Sequence, residues 1–327
     1  MNQTQDCYRG ALIGAAIGDA LGATVDRLSR AEVKEKYGVH REIVGGGRNE
    51  RKLGDWGPDT LLAYTVAESL AEKSEVNLKD IATRMVELGQ NDSIQREGLG
   101  GTTLYVLDNL KPKGKDLFSA AKKAHQQNGI TAGNGSILRV TPVGMLRRVQ
   151  FKELISDTVD VCRLTHYDQR SVDACIAFNF GISYLTSGKD PSKLLFKTWR
   201  FLADTRETPV YRAEYGEDAL PAEADMVNAL KAVNSITYED LESTGEAIST
   251  IQAAYWLTLN AIDFEEGLVR GVNLGGDAST LGAVVGALLG ARFGEQAIPE
   301  RWLECLQDIE TIEKIADRLR KLGEPKK

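Results

Sequence analysis

Two stretches of this chain consist almost wholly of glycine, alanine and aliphatic residues. One is Gly10-Ala-Leu-Ile-Gly-Ala-Ala-Ile-Gly-Asp-Ala-Leu-Gly22 near the start, the other Leu281-Gly-Ala-Val-Val-Gly-Ala-Leu-Leu-Gly-Ala291 near the end. Both read as helices, yet a glycine inside a helix costs about 1 kcal/mol relative to alanine. So many of them need a reason. Close approach supplies one: where a side chain is missing, two backbones can pack tightly, so a buried pair of central helices crossing beneath a site is expected. Each stretch also begins or ends beside an acidic loop, which leaves room for chemistry there.

The rest of the sequence reads as helix after helix. Only eight prolines interrupt 327 residues, and few segments alternate with the period of a half-buried strand. Helices are expected over 8–22, 60–72, 78–89, 101–109, 116–127, 151–164, 169–186, 190–203, 244–262, 263–270, 279–293, 299–308 and 310–321. Asp59, Asp168, and Asp277 or Ser279 stand where helix start signals belong. Loops gather at 38–58, 91–101, 128–136, 204–222 and 271–278, with 204–222 the best candidate for a lid or insertion. No composition shift or repeat divides the chain, so one all-α domain, a compact helical bundle over 1–327 with a frayed tail at 323–327, is expected.

Composition narrows the function. Forty basic and 47 acidic residues give a net charge of −7, which argues against nucleic acid as a main partner. The longest apolar run, Leu281 to Ala291, is 11 residues, whereas a membrane-spanning helix needs about 20. The polar start Asn2-Gln-Thr-Gln-Asp6 leads us to expect no signal peptide, and Cys7, Cys162, Cys175 and Cys305 show no metal-ligand spacing. Reduced thiols in a cytoplasmic protein are expected.

Four segments stand out against the helical background: Gly18-Asp-Ala-Leu-Gly-Ala-Thr-Val-Asp26, Gly54-Asp-Trp-Gly-Pro-Asp-Thr60, Ala132-Gly-Asn-Gly-Ser-Ile-Leu-Arg-Val-Thr-Pro142 and Asn273-Leu-Gly-Gly-Asp-Ala-Ser-Thr280. Taken singly, an Asp at a helix start is a cap and Gly-Asn-Gly is ordinary turn chemistry. Together they form a pattern of glycine turns opening helices, each carrying a carboxylate or amide. Helix starts turned toward one point make an anion site, and carboxylates there add a hard-cation site or acid/base groups.

In this order and spacing the segments resemble the ADP-ribosylglycohydrolase family. The run to Asp26, Tyr37-Gly-Val-His-Arg-Glu-Ile-Val-Gly-Gly-Gly47, Gly133-Asn-Gly-Ser-Ile-Leu-Arg139, Thr165-His166 and Val272-Asn-Leu-Gly-Gly-Asp277 look like its bacterial dinitrogenase reductase-activating branch. The resemblance covers roughly 8 to 300. It implies an all-α fold, a binuclear Mg²⁺ or Mn²⁺ site, and hydrolysis of the N- or O-glycosidic bond between ADP-ribose and a protein side chain. It also implies substrate contacts from Gly133, Asn134, Gly135, Ser136, His166, Gly275 and Gly276, although His166 also suits a packed or capping role, and Arg139 either reaches a phosphate or pairs with a carboxylate of the chain. Trp56, Tyr211, Tyr215 and Tyr255 are candidates to stack on adenine.

The metal-binding positions depart from the family pattern. Asp26 stands in place of a Glu, Gly57-Pro58-Asp59 in place of a Thr-Asp-Asp triplet, and Asp277-Ala278-Ser279-Thr280 in place of Asp-x-Asp-Thr. The region Gln95-Arg-Glu-Gly-Leu-Gly-Gly-Thr102 offers no clear match for the carboxylate expected near the ribose. Two close divalent ions need several carboxylates to fill octahedral shells. The remaining ligand candidates, Asp26, Asp59, Asp277 and Thr280, support one ion at most. Two readings follow. The first is a hydrolase with altered metal dependence, using Asp59 as base or electrostatic stabiliser while Asp26 and Asp277 hold a single Mg²⁺ or act directly. The second is a catalytically inactive paralogue that binds ADP-ribose or a related nucleotide.

Overall fold

The two small-residue helices pair antiparallel along their length, and glycine is the contact. In the computed structural model, which describes residues 2–90, 96–128, 132–207 and 226–324, they span Gln3–Ala23 and Ala278–Phe293. Gly10 faces Gly290, Gly14 faces Gly286, Gly18 faces Gly282, and Gly22 faces Ala278. A Cβ on Gly10 would lie 2.5 Å from the Gly290 carbonyl oxygen, and at the next three positions it would drive closer still into the opposing carbonyls. Backbone cannot move aside as the tip of a flexible side chain can. The four-residue spacing keeps the bare positions on one stripe of each helix.

Other helices wrap this pair. Phe264–Val272 and Ala247–Asn260 pack on the later helix, and Ile309–Leu322 on the earlier one. Gln169–Thr186 is buried at every position but Arg170, which suits a helix with neighbours on all sides. Pro58–Lys73 packs against Gly135–Arg139, Thr141–Leu146 and Ile309–Leu322. One apolar core runs from Tyr8 to Leu319.

No strand occurs among the described residues, and the all-α expectation holds. Several boundaries need correction. The 299–308 helix is only the turn Glu300–Leu303, which seats the buried Trp302. The helix expected over 190–203 starts at Leu194, after a short turn at Pro191–Lys193, and runs to Arg206. Arg30–Tyr37 is an additional helix opened by a capping box, in which Ser29 and Glu32 each bond the other's backbone N–H. Gly323 is not frayed: it is buried, and its N–H bonds the Leu319 carbonyl at 2.9 Å. Most of the expected lid, 208–222, lies outside the described residues. All four cysteines are free thiols, and no described helix is long and apolar enough to cross a membrane.

Candidate active site

At one end of the glycine seam the first helix gives way to the loop carrying Asp26, beside the start of Ala278–Phe293. Asp277 occupies the N-cap position but makes no capping bond. Asp26 caps the helix in its place, its Oδ1 accepting from the Ser279 N–H and from the Ser279 hydroxyl, both at 3.2 Å. A carboxylate at a helix start is favoured by the exposed amide dipoles. Burial, helped by neighbouring Asp277, still raises the Asp26 pKa. Asp277 is thereby freed to reach across the fold. Its Oδ2 accepts from Asn134 Nδ2 at 2.7 Å and its Oδ1 from the Thr280 hydroxyl at 3.3 Å. Arg27, in a left-handed conformation (φ 69°), puts its guanidinium 3.3 Å from Asp26 and 3.6 Å from Asp277.

Asp19 and Asp59 form a second buried carboxylate pair. Helix Pro58–Lys73 begins after Gly57, which has no side chain to cap with. Asp19 of the first helix caps it instead, its Oδ2 accepting from the Gly57 N–H at 2.8 Å and from the Thr60 hydroxyl. The other Asp19 oxygen accepts from Arg51 Nη1 at 2.7 Å. Asp59, second in that helix, accepts from Arg139 Nη2 at 3.0 Å. Arg139 is wholly buried and also donates to the Thr165 hydroxyl, which lies 3.0 Å from His166 Nδ1. Burial pushes the Asp59 carboxyl up to about 7; Arg139 opposes the rise, and Asp277 and Asp19 add to it. Burial, with Arg139 nearby, drives the His166 pKa down to about 3, so its ring is neutral.

The Gly133–Ser136 turn closes the cluster. It is pinned to 245–247 by Asn134 N–H to the Gly245 carbonyl (3.0 Å) and Ala247 N–H to the Ala132 carbonyl (2.9 Å). Asn134 Nδ2 bonds the Thr250 hydroxyl as well as Asp277. A Cβ on Gly135 would touch Asp59 Oδ1 and Thr103 Oγ1, each at 3.4 Å, and one on Gly133 would lie 3.2 Å from His166 Nε2. These glycines let the turn sit directly on Asp59, Thr103 and His166.

A family model described as ADP-ribosylglycohydrolase matches residues 1–327. The chain belongs to the ADP-ribosylglycohydrolase family. It is 28% identical over 322 residues to the ADP-ribosylarginine hydrolase Tri1 of Serratia proteamaculans, a match covering 97% of this chain and 80% of the relative. It is 28% identical over 308 residues to the ADP-ribosyl-[dinitrogen reductase] glycohydrolase of Rhodospirillum rubrum, covering 91% and 89%. A solved structure titled ADP-ribosylglycohydrolase-related protein complex matches with a TM-score of 0.76 at 29% identity, covering 99% of this chain and all of that one.

In this ADP-ribosylglycohydrolase, Asp277 bonds Thr280 and Asn134 and is linked to Asp26 through Arg27, while Asp59 shares a second group with Arg139, Thr165 and His166. Gly275 and Gly276 approach backbone closely, but that backbone is the chain's own. The Gly276 N–H bonds the Leu28 carbonyl at 2.7 Å, and a Cβ on either glycine would strike the carbonyl of Leu28 or Ser243. Ser136 is buried, with its hydroxyl against the Cys175 thiol at 3.4 Å. Tyr255 is a core residue and no stacking platform: it is fully buried, and its hydroxyl bonds the Ala177 carbonyl. Trp56 packs edge-on against Tyr64, and Tyr211 and Tyr215 lie outside the described residues. Sequence reasoning missed Arg27, Arg51, Thr103 and the capping role of Asp19. Only Asp19, inside the first glycine motif, carried a local signal.

Proposed function

We propose that this chain hydrolyses the glycosidic bond between ADP-ribose and a protein side chain. The full-length family match and the relatives named for ADP-ribosylarginine and ADP-ribosyl-[dinitrogen reductase] support the substrate class. The observation that carries the reading is the gathering of Asp59, Asp277 and, through Arg27, Asp26 at the Gly133–Ser136 turn, which itself contributes Asn134.

Ribosyl cleavage passes through an oxocarbenium-like state, which negative charge stabilises. Asp59, with a pKa near 7, suits proton transfer at neutral pH. In its ionised form it takes a proton from water as the water oxygen bonds the anomeric carbon. The bond to the side-chain nitrogen or oxygen breaks, its electrons leave with that atom, and the proton follows. Asp26 and Asp277 supply negative charge nearby.

The family resemblance implies Mg²⁺ or Mn²⁺, but the donor set does not suit a two-metal site. Both Asp19 oxygens are hydrogen-bonded within the chain, Asp59 carries Arg139, and both Asp277 oxygens have partners. Among the described residues no group of three or more His, Cys, Asp or Glu side chains is arranged to hold an ion.

Release of free ADP-ribose from an ADP-ribosylated arginine protein tests the proposal, with Asp59→Asn expected to lower kcat by about 10²- to 10⁴-fold. One observation favours the second reading, binding without cleavage: the Asp59 carboxylate is held by a buried arginine. Titration with ADP-ribose that shows retention, alongside no turnover of the conjugate, would establish that alternative.

A further inference from the structure

We infer that the acid cluster of this chain carries its own cations: the guanidinium groups of Arg51 and Arg139, with Arg27 at the rim, stand where divalent ions would otherwise neutralise the carboxylates. The inference concerns the same site as the hydrolase reading but does not rest on it.

Three ion pairs make the case. Arg51 and Asp19 meet at 2.7 Å with both side chains 4% exposed. Arg139 and Asp59 meet at 3.0 Å with the arginine fully buried. Arg27 straddles Asp26 and Asp277, so each of the four carboxylates faces a guanidinium. A buried charge without a partner is heavily penalised, and these arginines remove that penalty permanently.

The seat of Arg51 is built for it. A Cβ on Gly57 would lie 2.6 Å from Arg51 Nη1 and 2.7 Å from Cζ, so any other residue there would displace the guanidinium. What remains between Asp19, Arg51, Asp59 and Thr280 is a cavity of ≈ 10 Å³, about the room one water needs. A magnesium ion demands six oxygens in near-octahedral array, which that space does not admit. Arg51 lines the cavity, and its buried Nε–H has no acceptor among the described residues. A dication placed there would face a positive group and an unpaired donor.

The test uses the purified full chain. Mn²⁺ is titrated to about 1 mM while the signal of the free ion is followed by electron paramagnetic resonance, and melting is compared in EDTA and in Mg²⁺. Wild type is expected to retain no Mn²⁺ and to show the same Tm in both. Arg51→Met leaves Asp19 unpaired. It is expected to lower Tm and to regain part of the loss when Mn²⁺ or Mg²⁺ binds. Arg27→Ala, a change at a half-exposed rim position, provides a folded variant in which Asp26 and Asp277 lose their guanidinium but keep their hydrogen bonds; Mn²⁺ retention is expected there too. Stoichiometric Mn²⁺ on wild type overturns the inference. So does the absence of Mn²⁺ from wild type and both variants, because the arginines would then not be what excludes it. Neither readout involves turnover, so a failed hydrolysis assay leaves the result intact.

Discussion

The two ends of the glycine seam hold similar charges in opposite ways. At the site end, Asp19 and Asp59 are sealed with one buried arginine each. At the far end, Arg9 of the first helix is shared among Glu295, Glu313 and Asp317 at 3.6, 2.9 and 2.9 Å, and all four side chains reach solvent. Glu295 there lies close enough to Glu313 that burial and mutual repulsion raise its pKa to about 7. Water and spare acids can absorb a lost charge at the far end. Around Asp19 and Asp59 nothing can, which is why each of these two acids has its own buried guanidinium.

The largest effect is expected from breaking the seam that joins the ends. Gly14→Val places a branched side chain against the Gly286 carbonyl and should cost at least about 3 kcal/mol, read as loss of soluble protein or a collapsed Tm. Next comes the sealed end. Arg139→Met strands Asp59 and should cost about 3–5 kcal/mol in urea unfolding, while Arg9→Met at the open end should cost about 1 kcal/mol or less. Equal losses would erase the contrast between the two ends.

A smaller effect is expected from pH. Because the folded pKa of Glu295 lies above its ordinary 4.5, the folded state holds a proton that the unfolded state releases. Its stabilising share is complete below about 4.5 and is lost as pH rises through about 7, by on the order of 1 kcal/mol after solvent screening. Glu295→Gln should flatten that decline in unfolding measured at about pH 5 and about pH 8; parallel curves would show that another group carries it. The smallest effect should be on the stability of Arg27→Ala, within about 1 kcal/mol, since that side chain is half exposed.

The fold was legible where the cause was local. Helix-period burial and stop signals located 78–89, 101–109 and 169–186 to the residue, and glycine content announced the central pair. The helix at Arg30–Tyr37 carried a readable capping box, Ser29 to Glu32, that a hydrophobic pattern with one buried residue, Val33, concealed. The site was half legible. Its acids and glycine turns lie in recognisable motifs, but what each acid touches is settled by residues far along the chain. Arg51 sits in an irregular loop and reaches back 32 positions to Asp19, and Arg139 reaches back 80 to Asp59. No periodicity marks such a pairing. Tyr255 misled for the opposite reason: its type suggested stacking, while its helix buries it.

The glycine stripe also dictates when the molecule can fold. Gly10 and its mate Gly290 lie about 280 positions apart, and closing so long a loop is slow. On the ribosome, the first helix emerges with an apolar surface whose glycine-matched partner, Ala278–Phe293, has yet to be translated. Until the final segment appears, that surface is open to other chains, a state prone to aggregation. The seam therefore leaves the first helix without its glycine-matched partner while about 280 further residues are made, and dependent over that interval on whatever shields exposed apolar helices in the cell.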